Sequence, residues 1–364
     1  DAALEGIVQH HVQFLIVPGD LTKDGELADH LLIAQHLAKL ERHGIQVFVV
    51  PGNHDINNPD AVAYRGDTTV PVRNVSPQLF RAIYQPFGYG RAIDHDKHSL
   101  SYLAEPVCGL WLLGIDSCKY DQNEQLGAPV VSGRIKPETM EWVARKMAEA
   151  KAHRKHVIAV MHHGLNQHFL GQAQIFPDFL VDDWLGVSKE LAALGLNTVF
   201  TGHYHSQDAA FPLDATGIPQ QTLCDVETGS LAMFPCAYRI VSIGCDGTLK
   251  IQTERVTQIK ADTAGMAFQD YARDFLAARL PTLVTYQLMS MFQLPQDQAA
   301  QVAPLAAEAL IANYAGDEMP SAQTQSVIGG FLASPEPLHT LGLMLGGLWT
   351  DLPPQDNHLE LPLD

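Results

Sequence analysis

Four clusters of polar residues hold nearly all the chemistry this sequence can offer. They are Gly19-Asp20 in VPGDLTKDGE, Gly52-Asn53-His54-Asp55 in VVPGNHD, His162-His163 after VIAVM, and His203-Tyr204-His205 in TGHYH. A carboxylate placed just past a strand, as Asp20 would be, can bridge two divalent ions through its two oxygens, although Gly-Asp alone is also an ordinary turn. Asn53 offers a neutral oxygen ligand, His54 a titratable proton donor, and Asp55 an acceptor able to orient that imidazole. The same stretch also reads as a Gly/Asn/Asp turn after a buried strand. His203 and His205, two apart on an extended segment, face one side, because alternate residues in β geometry point the same way. Two imidazoles so placed are a plausible pair of metal ligands, against the simpler reading of structural histidines at a strand end.

These clusters need elements that bring them together. Apolar, β-rich runs predict strands at Val12–Val17, Ile45–Val50, Leu110–Ile115, Val157–Met161 and Thr198–Phe200. Helical periodicity predicts helices at Glu26–Arg42, Pro137–Ala152 and Ser188–Leu194, and Ala2–Gln9 reads as a helix feeding the first strand. His43-Gly44 stops the first of the long helices and Pro137 suits an opening turn. Alternation of β and α favours a layered α/β domain. Each polar cluster follows a strand, and in α/β sheets the carboxyl ends of strands are where ligands sit, so the clusters can converge. After about Ile251 the composition turns to Ala, Leu, Met and Gln. Pro281, Pro295, Pro320 and Pro335 divide that segment, which predicts a small helical bundle and then a Pro/Asp/Leu-rich tail.

The ordered series GD, GNHD, H and GHxH, each following a strand, resembles the metallophosphoesterase (calcineurin-like phosphoesterase) superfamily, whose pattern is DxH, GD, GNH[DE], H, GHxH. The match runs from Asp20 to His205. The resemblance implies a layered β-sandwich flanked by helices over residues 1–258, a C-terminal α-helical bundle over 259–350 and a tail over 351–364. It implies two metal ions, with Asp20 bridging both, Asn53, His162 and His203 completing the second site, and His205 on the first. His162 is preferred to His163 because the family ligand is the first histidine after the strand. His54 would be the catalytic histidine that contacts phosphate and protonates the leaving oxygen, and Asp55 would orient it. An attacking hydroxide bridging the two ions completes the implied mechanism. GDLTKDGE, MHHGL, GHYHSQD and DVETGSLAMFPCAYR look like a bacterial subgroup with a helical C-terminal domain, some of whose members are cyclic-nucleotide phosphodiesterases. This implies a small phosphodiester or nucleotide substrate. Alternatives are a phosphomonoesterase, nucleotidase or pyrophosphatase of the same fold, or a non-catalytic interaction module. The family's DxH has no match among the 19 residues before Asp20, where His10 and His11 occur without it. The expectation is that a first strand carrying DxH is missing from this sequence.

Composition bounds the rest. With 23 Lys+Arg against 41 Asp+Glu in 364 residues, the net charge is −18, which argues against wrapping nucleic acid or binding an anionic membrane surface. At 46% hydrophobic and 18% charged residues the chain can bury a large core, and no apolar run is long enough for a transmembrane segment. The nitrogen and oxygen donors suit Mn, Fe, Zn or Co without choosing among them. Five irregularly spaced cysteines make no disulfide scaffold. A Cys224–Cys236 bridge across a predicted hairpin is conceivable, with buried thiols as the alternative. The chain opens on Asp1 without Met, so a leader can have been removed, and an extracytoplasmic bacterial setting is favoured over a cytoplasmic one. The helical segment is expected to shape substrate access or to mediate self-association. The remaining histidines, including His30, read as mostly solvated, with His168 the exception, and the acidic surplus reads as a solvated surface.

Overall fold

The structure is a computed structural model and describes residues 1–214, 217–244, 246–316 and 318–363. In chain order, the first half holds α1 (Ala2–Gln9), β1 (Phe14–Val17), α2 (Leu27–Arg42), β2 (Gln46–Val49), β3 (Val62–Arg65), β4 (Thr68–Pro71), α3 (Pro77–Ile83), β5 (Asp94–His95), β6 (Tyr102–Val107), β7 (Leu110–Gly114), α4 (Asn123–Leu126), α5 (Pro137–His153) and β8 (His156–Val160). Next come α6 (Gln172–Ile175), α7 (Trp184–Ala193), β9 (Thr198–Thr201), β10 (Ala209–Ala210), β11 (Cys224–Glu227), β12 (Ala237–Ile243) and β13 (Thr248–Arg255). Five helices, α8 (Phe268–Ala277), α9 (Leu280–Phe292), α10 (Gln296–Ala315), α11 (Ala322–Leu332) and α12 (Leu338–Leu348), precede a last strand, β14 (His358–Pro362).

A seven-stranded sheet in the order β10-β11-β9-β8-β7-β6-β5 is the centre of the molecule. All five residues of β7 are buried, as a strand covered on both faces requires. Successive side chains of a strand point to opposite faces, and β7 and β8 divide two cores accordingly. Leu112, Ile158 and Val160 face one core with Phe48, Ile251 and Leu361. Trp111, Leu113 and Ala159 face the other, with Met140, Val143 and Met147 of α5 and Leu191 of α7. Three-, four- and seven-residue spacings put those α5 residues on one stripe. The first core lies between the large sheet and a second layer made of the parallel pair β1-β2 and the antiparallel β12-β13-β14. Burying each such large apolar side chain contributes about 1.5–3 kcal/mol. The result is the layered sandwich flanked by helices expected from the sequence, followed by a helical C-terminal region.

Most expected elements agree with the structure to within a residue or two at each end, but α7 starts four residues earlier than predicted, at Trp184. The stretch 351–364, read from composition as a tail, carries β14, which pairs antiparallel with β13 from Thr248↔Pro362 to Gln252↔His358. Its alternation puts Leu359 and Leu361 into the core while His358 and Glu360 stay exposed. Cys108, Cys118, Cys224 and Cys236 are free thiols, so no Cys224–Cys236 bridge forms; Cys245 lies outside the described residues. No helix among the described residues is long and apolar enough to cross a membrane.

Candidate metal centre

Parallel pairing of β1 with β2, in register from Phe14↔Gln46 to Val17↔Val49, brings the loops after both strands side by side. Gly19 has φ +95°, and a Cβ there would lie 2.8 Å from the Gly52 Cα, so only glycine permits this approach. A Cβ on Gly52 would in turn collide with the Asp20 carboxylate. The His54 amide donates to Asp20 Oδ1 at 3.2 Å, fixing Asp20 beside the Asn53-His54 pair. β8 and β9 are also parallel neighbours and deliver His162 and His203, with the Gly202 amide bonded to the His162 carbonyl at 3.0 Å. Asp20, His203 and His205 adopt positive φ of 51°, 76° and 72°. Left-handed backbone at non-glycine residues is strained and concentrates at functional sites.

The side chains converge. His162 Nδ1 donates to the Pro18 carbonyl at 2.7 Å, which points Nε2 at Asn53 Oδ1 (3.0 Å), His203 Nδ1 (3.1 Å) and Asp20 Oδ2 (3.3 Å). His203 Nε2 donates to the Asp178 carbonyl at 3.2 Å, leaving Nδ1 turned inward. Ligand atoms of Asp20, His162 and His203 all lie within 4.8 Å of one another. Burial alone would raise the Asp20 carboxyl, but the charge and hydrogen bond of His162, with His54 and His203, hold it well below the usual carboxylate range. His162 is raised: burial opposes the shift, and the Asp20 charge and hydrogen bond overcome it. Burial, with His163 and His162 as neighbours, keeps His203 neutral.

His163 is directed elsewhere. Its Nδ1 pairs with Ser117 Oγ at 2.8 Å and its Nε2 donates to the Val131 carbonyl at 2.9 Å, while burial and His162 push it down to about 3. His162 is therefore the member of the pair that meets Asp20, Asn53 and His203. His205 is largely buried, which lowers its pKa, and its Nδ1 lies 3.1 Å from Met233 Sδ, outside the three-residue group around Asp20.

His54 is the most open of these residues, its side chain 41% exposed. The structure corrects the expected role of Asp55. Asp55 is fully buried and its carboxylate accepts from the Thr22 amide (3.0 Å), the Thr22 hydroxyl (3.2 Å) and the Gly52 amide (2.8 Å), so it holds the loop together and does not face the His54 ring. The partner of His54 Nδ1 is Asp24 Oδ1, at 3.2 Å. Asp24 is held in turn by Asn58 Nδ2 at 3.3 Å and by Lys23. His30, expected to be solvated, is wholly buried between the Tyr84 hydroxyl (2.8 Å) and the Asp55 carbonyl (2.9 Å), bracing the same loop from α2. The signal for Asp24 was available in GDLTKDGE, four residues beyond Asp20. Nothing in the pattern of α2 distinguished His30 from its exposed neighbours.

The donor set fits a transition-metal ion. Two imidazoles presented by backbone carbonyls, a neutral amide oxygen and a carboxylate with depressed pKa are the ligand types and second contacts such a site uses. A cation would sit where His162 Nε2 now meets Asp20 Oδ2 at 3.3 Å. His205 stands in the field of the Asp20 charge, outside this ligand group.

A family model described as calcineurin-like phosphoesterase matches residues 1–207. No curated protein matches the chain. Among solved structures, a dimetal phosphatase from Danio rerio is similar over 70% of this chain and 85% of its own, at 13% identity and a TM-score of 0.47. A purple acid phosphatase from yellow lupin (Lupinus luteus) seeds is similar over 70% of this chain, at 10% identity and a TM-score of 0.45; the match spans 46% of the lupin chain.

Proposed function

The chain belongs to the calcineurin-like phosphoesterase family, whose members use a dimetal centre to hydrolyse phosphoesters, and from that premise we propose that it acts on small phosphodiesters, cyclic nucleotides among them. The observation that carries this reading is the convergence of Asp20, Asn53, His162 and His203 beside a half-exposed His54. Bound metals supply Lewis-acid polarisation of the phosphoryl group and an activated water. Asp20, Asn53, His162 and His203 would hold one ion, and Asp20 and His205 would contribute to the other. The residues' own part is proton delivery. Asp24 Oδ1 accepts from His54 Nδ1, which leaves Nε2 as the atom that gives a proton to the departing oxygen.

A diester is favoured by the charge around the site. Among the described contacts of Asp20, Asn53, His54, His162, His203 and His205, no Arg or Lys appears directly, and Lys23 enters only through Asp24. A monoester dianion is the substrate that would most need such cations. The helical region exposes Phe275, Leu283, Tyr286 and Leu343, which supports self-association through it, a part of the proposal that sedimentation would test. The decisive assay compares a phosphodiester with the matching phosphomonoester after reloading with Mn, Zn, Fe or Co. Preference for the diester supports the proposal, and preference for the monoester replaces it with a phosphatase.

A further inference from the structure

Behind the GHYH loop lies a second concentration of acid groups that the chemistry above does not use. Asp208 follows His205 by three residues, Glu318 sits between α10 and α11, and Asp356 leads into β14. They are 3%, 6% and 1% exposed, and one carboxylate oxygen from each lies within 4.8 Å of the others. Asp225 and Glu227 of β11 are buried alongside. Among the described residues, the positive groups beside these five carboxylates are His168, wholly buried, and Arg239, half-buried, and the Ala209 amide donates to Asp356 Oδ1 at 2.9 Å. Arg239 donates to the backbone carbonyls of Asp208, Glu227 and Asp356 and to the Thr253 hydroxyl. His168 Nδ1 meets Asp208 Oδ1 at 2.8 Å, and its Nε2 lies 3.4 Å from Asp225 Oδ2. Asp225 is further supplied by the amides of Leu165 and Asn166 and by the Thr201 hydroxyl. Charge buried without compensation is strongly unfavourable, so this imbalance needs a counter-charge or bound protons.

Further buried oxygens point to a ligand. Glu318 Oε2 has no hydrogen-bond partner among the described residues, although Oε1 accepts from Asn313 Nδ2 at 3.0 Å. The Tyr204 hydroxyl is also unpartnered, on a side chain only 6% exposed, and lies in the field of Asp208, Glu227 and Glu318. Asn313 Oδ1, on a residue 1% exposed, is unpartnered as well. Donors of this kind are all oxygen, with none of the imidazole nitrogens of the catalytic cluster, which selects a hard cation. A largely dry cage of protein oxygens suits Ca²⁺ better than Mg²⁺, which keeps several of its waters.

We propose that Asp208, Glu318 and Asp356 form a structural Ca²⁺ site that ties the helical region and the lead-in to β14 to the loop carrying His203 and His205. Without a cation, burial and the neighbouring Asp208 and Asp356 charges push the Glu318 carboxyl up to about 10. Carboxyls that simply hold protons are therefore the competing account, and the two differ in what binds.

The test uses the full chain, stripped with chelator and then given one equivalent of Zn²⁺ to fill the nitrogen-rich centre. Tb³⁺ serves as the calcium probe, its luminescence sensitised by nearby Tyr204 and Tyr314. The expected result is a Tb³⁺ signal saturating near one equivalent and displaced by Ca²⁺, with a Ca²⁺-dependent rise in Tm of roughly 3–5 °C. Glu318→Gln and Asp356→Asn should each weaken Tb³⁺ binding at least about tenfold and abolish the Tm response, whereas His203→Ala should keep both. The proposal is overturned by a wild-type chain with no Ca²⁺-displaceable signal, a result that stands even if a variant fails to fold. It is equally overturned by a signal that survives in Glu318→Gln and Asp356→Asn and disappears in His203→Ala.

Discussion

At the scale of single residues, the account turns on which carboxylate faces His54. Asp24 meets Nδ1 and Asp55 fastens the loop, so the two acids should fail in different ways when replaced. His54→Ala should keep its metal and lose at least about two orders of magnitude in kcat on substrates with alkyl leaving groups, with a smaller loss on activated aryl esters that need no proton. Equal losses on both would assign His54 to phosphate positioning. Asp24→Asn should cost about 10–100-fold with the same dependence on leaving group, since it acts through the imidazole. Asp55→Ala should act mainly on stability, because it leaves the buried Thr22 and Gly52 donors without their acceptor, at about 1–3 kcal/mol for each unsatisfied group. Chemical denaturation beside steady-state kinetics separates these outcomes. The sequence pointed to Asp20, Asn53, His54, His162, His203 and His205 because the ordered series GD, GNHD, H and GHxH resembles the family pattern. The roles of Asp24 and Asp55 depend on loop conformation, which spacing does not encode.

At the scale of elements, the strands and helices that position the site were readable because each has a clear period and stop signal. β7 is apolar throughout, β8 is apolar after His156, and Pro137 opens α5. β14 was not readable, since Pro353, Pro354 and a short HLELP run resemble a loose end until β13 supplies a partner. Leu361→Ala should therefore destabilise the protein by about 2–5 kcal/mol in urea unfolding, whereas a leucine in a loose tail would cost almost nothing. The same strand changes how the helical region must be tested. Truncation near residue 258 would remove β14 with the helices, so an internal excision that keeps residues 357–363 is needed. Tyr204, between His203 and His205, packs in the helical core with Phe169, Leu310 and Leu345. Excision should consequently disturb the histidine loop, and Tyr204→Ala should lower metal affinity as well as stability.

For the whole molecule, the acidic surplus is partly interior, with Glu227 and Glu318 buried where a solvated surface was expected. Burial raises Glu227 to about 8, with Asp208 and Asp225 adding to the shift and His168 opposing it; burial opposes protonation of His168, but the charges and hydrogen bonds of Asp208 and Asp225 raise it well above its ordinary value. Both groups bind protons more tightly when folded. Their contribution is fully present below their unfolded pKa values and is lost as pH rises, for Glu227 between about 4.5 and 8 and for His168 from about 6.5 upward, so the chelated protein should lose Tm as pH rises above about 5. Glu227→Gln should flatten part of that slope in a pH series of thermal scans. The central claim is that this family's metal chemistry is assembled from Asp20, Asn53, His162 and His203. Its most direct test is transition-metal analysis of the dialysed chain, of His162→Ala and of His163→Gln. The account predicts about one tightly held ion in the wild type and in His163→Gln, and its loss in His162→Ala. A chain that holds no transition metal, or one that keeps it in His162→Ala and loses it in His163→Gln, would contradict the account.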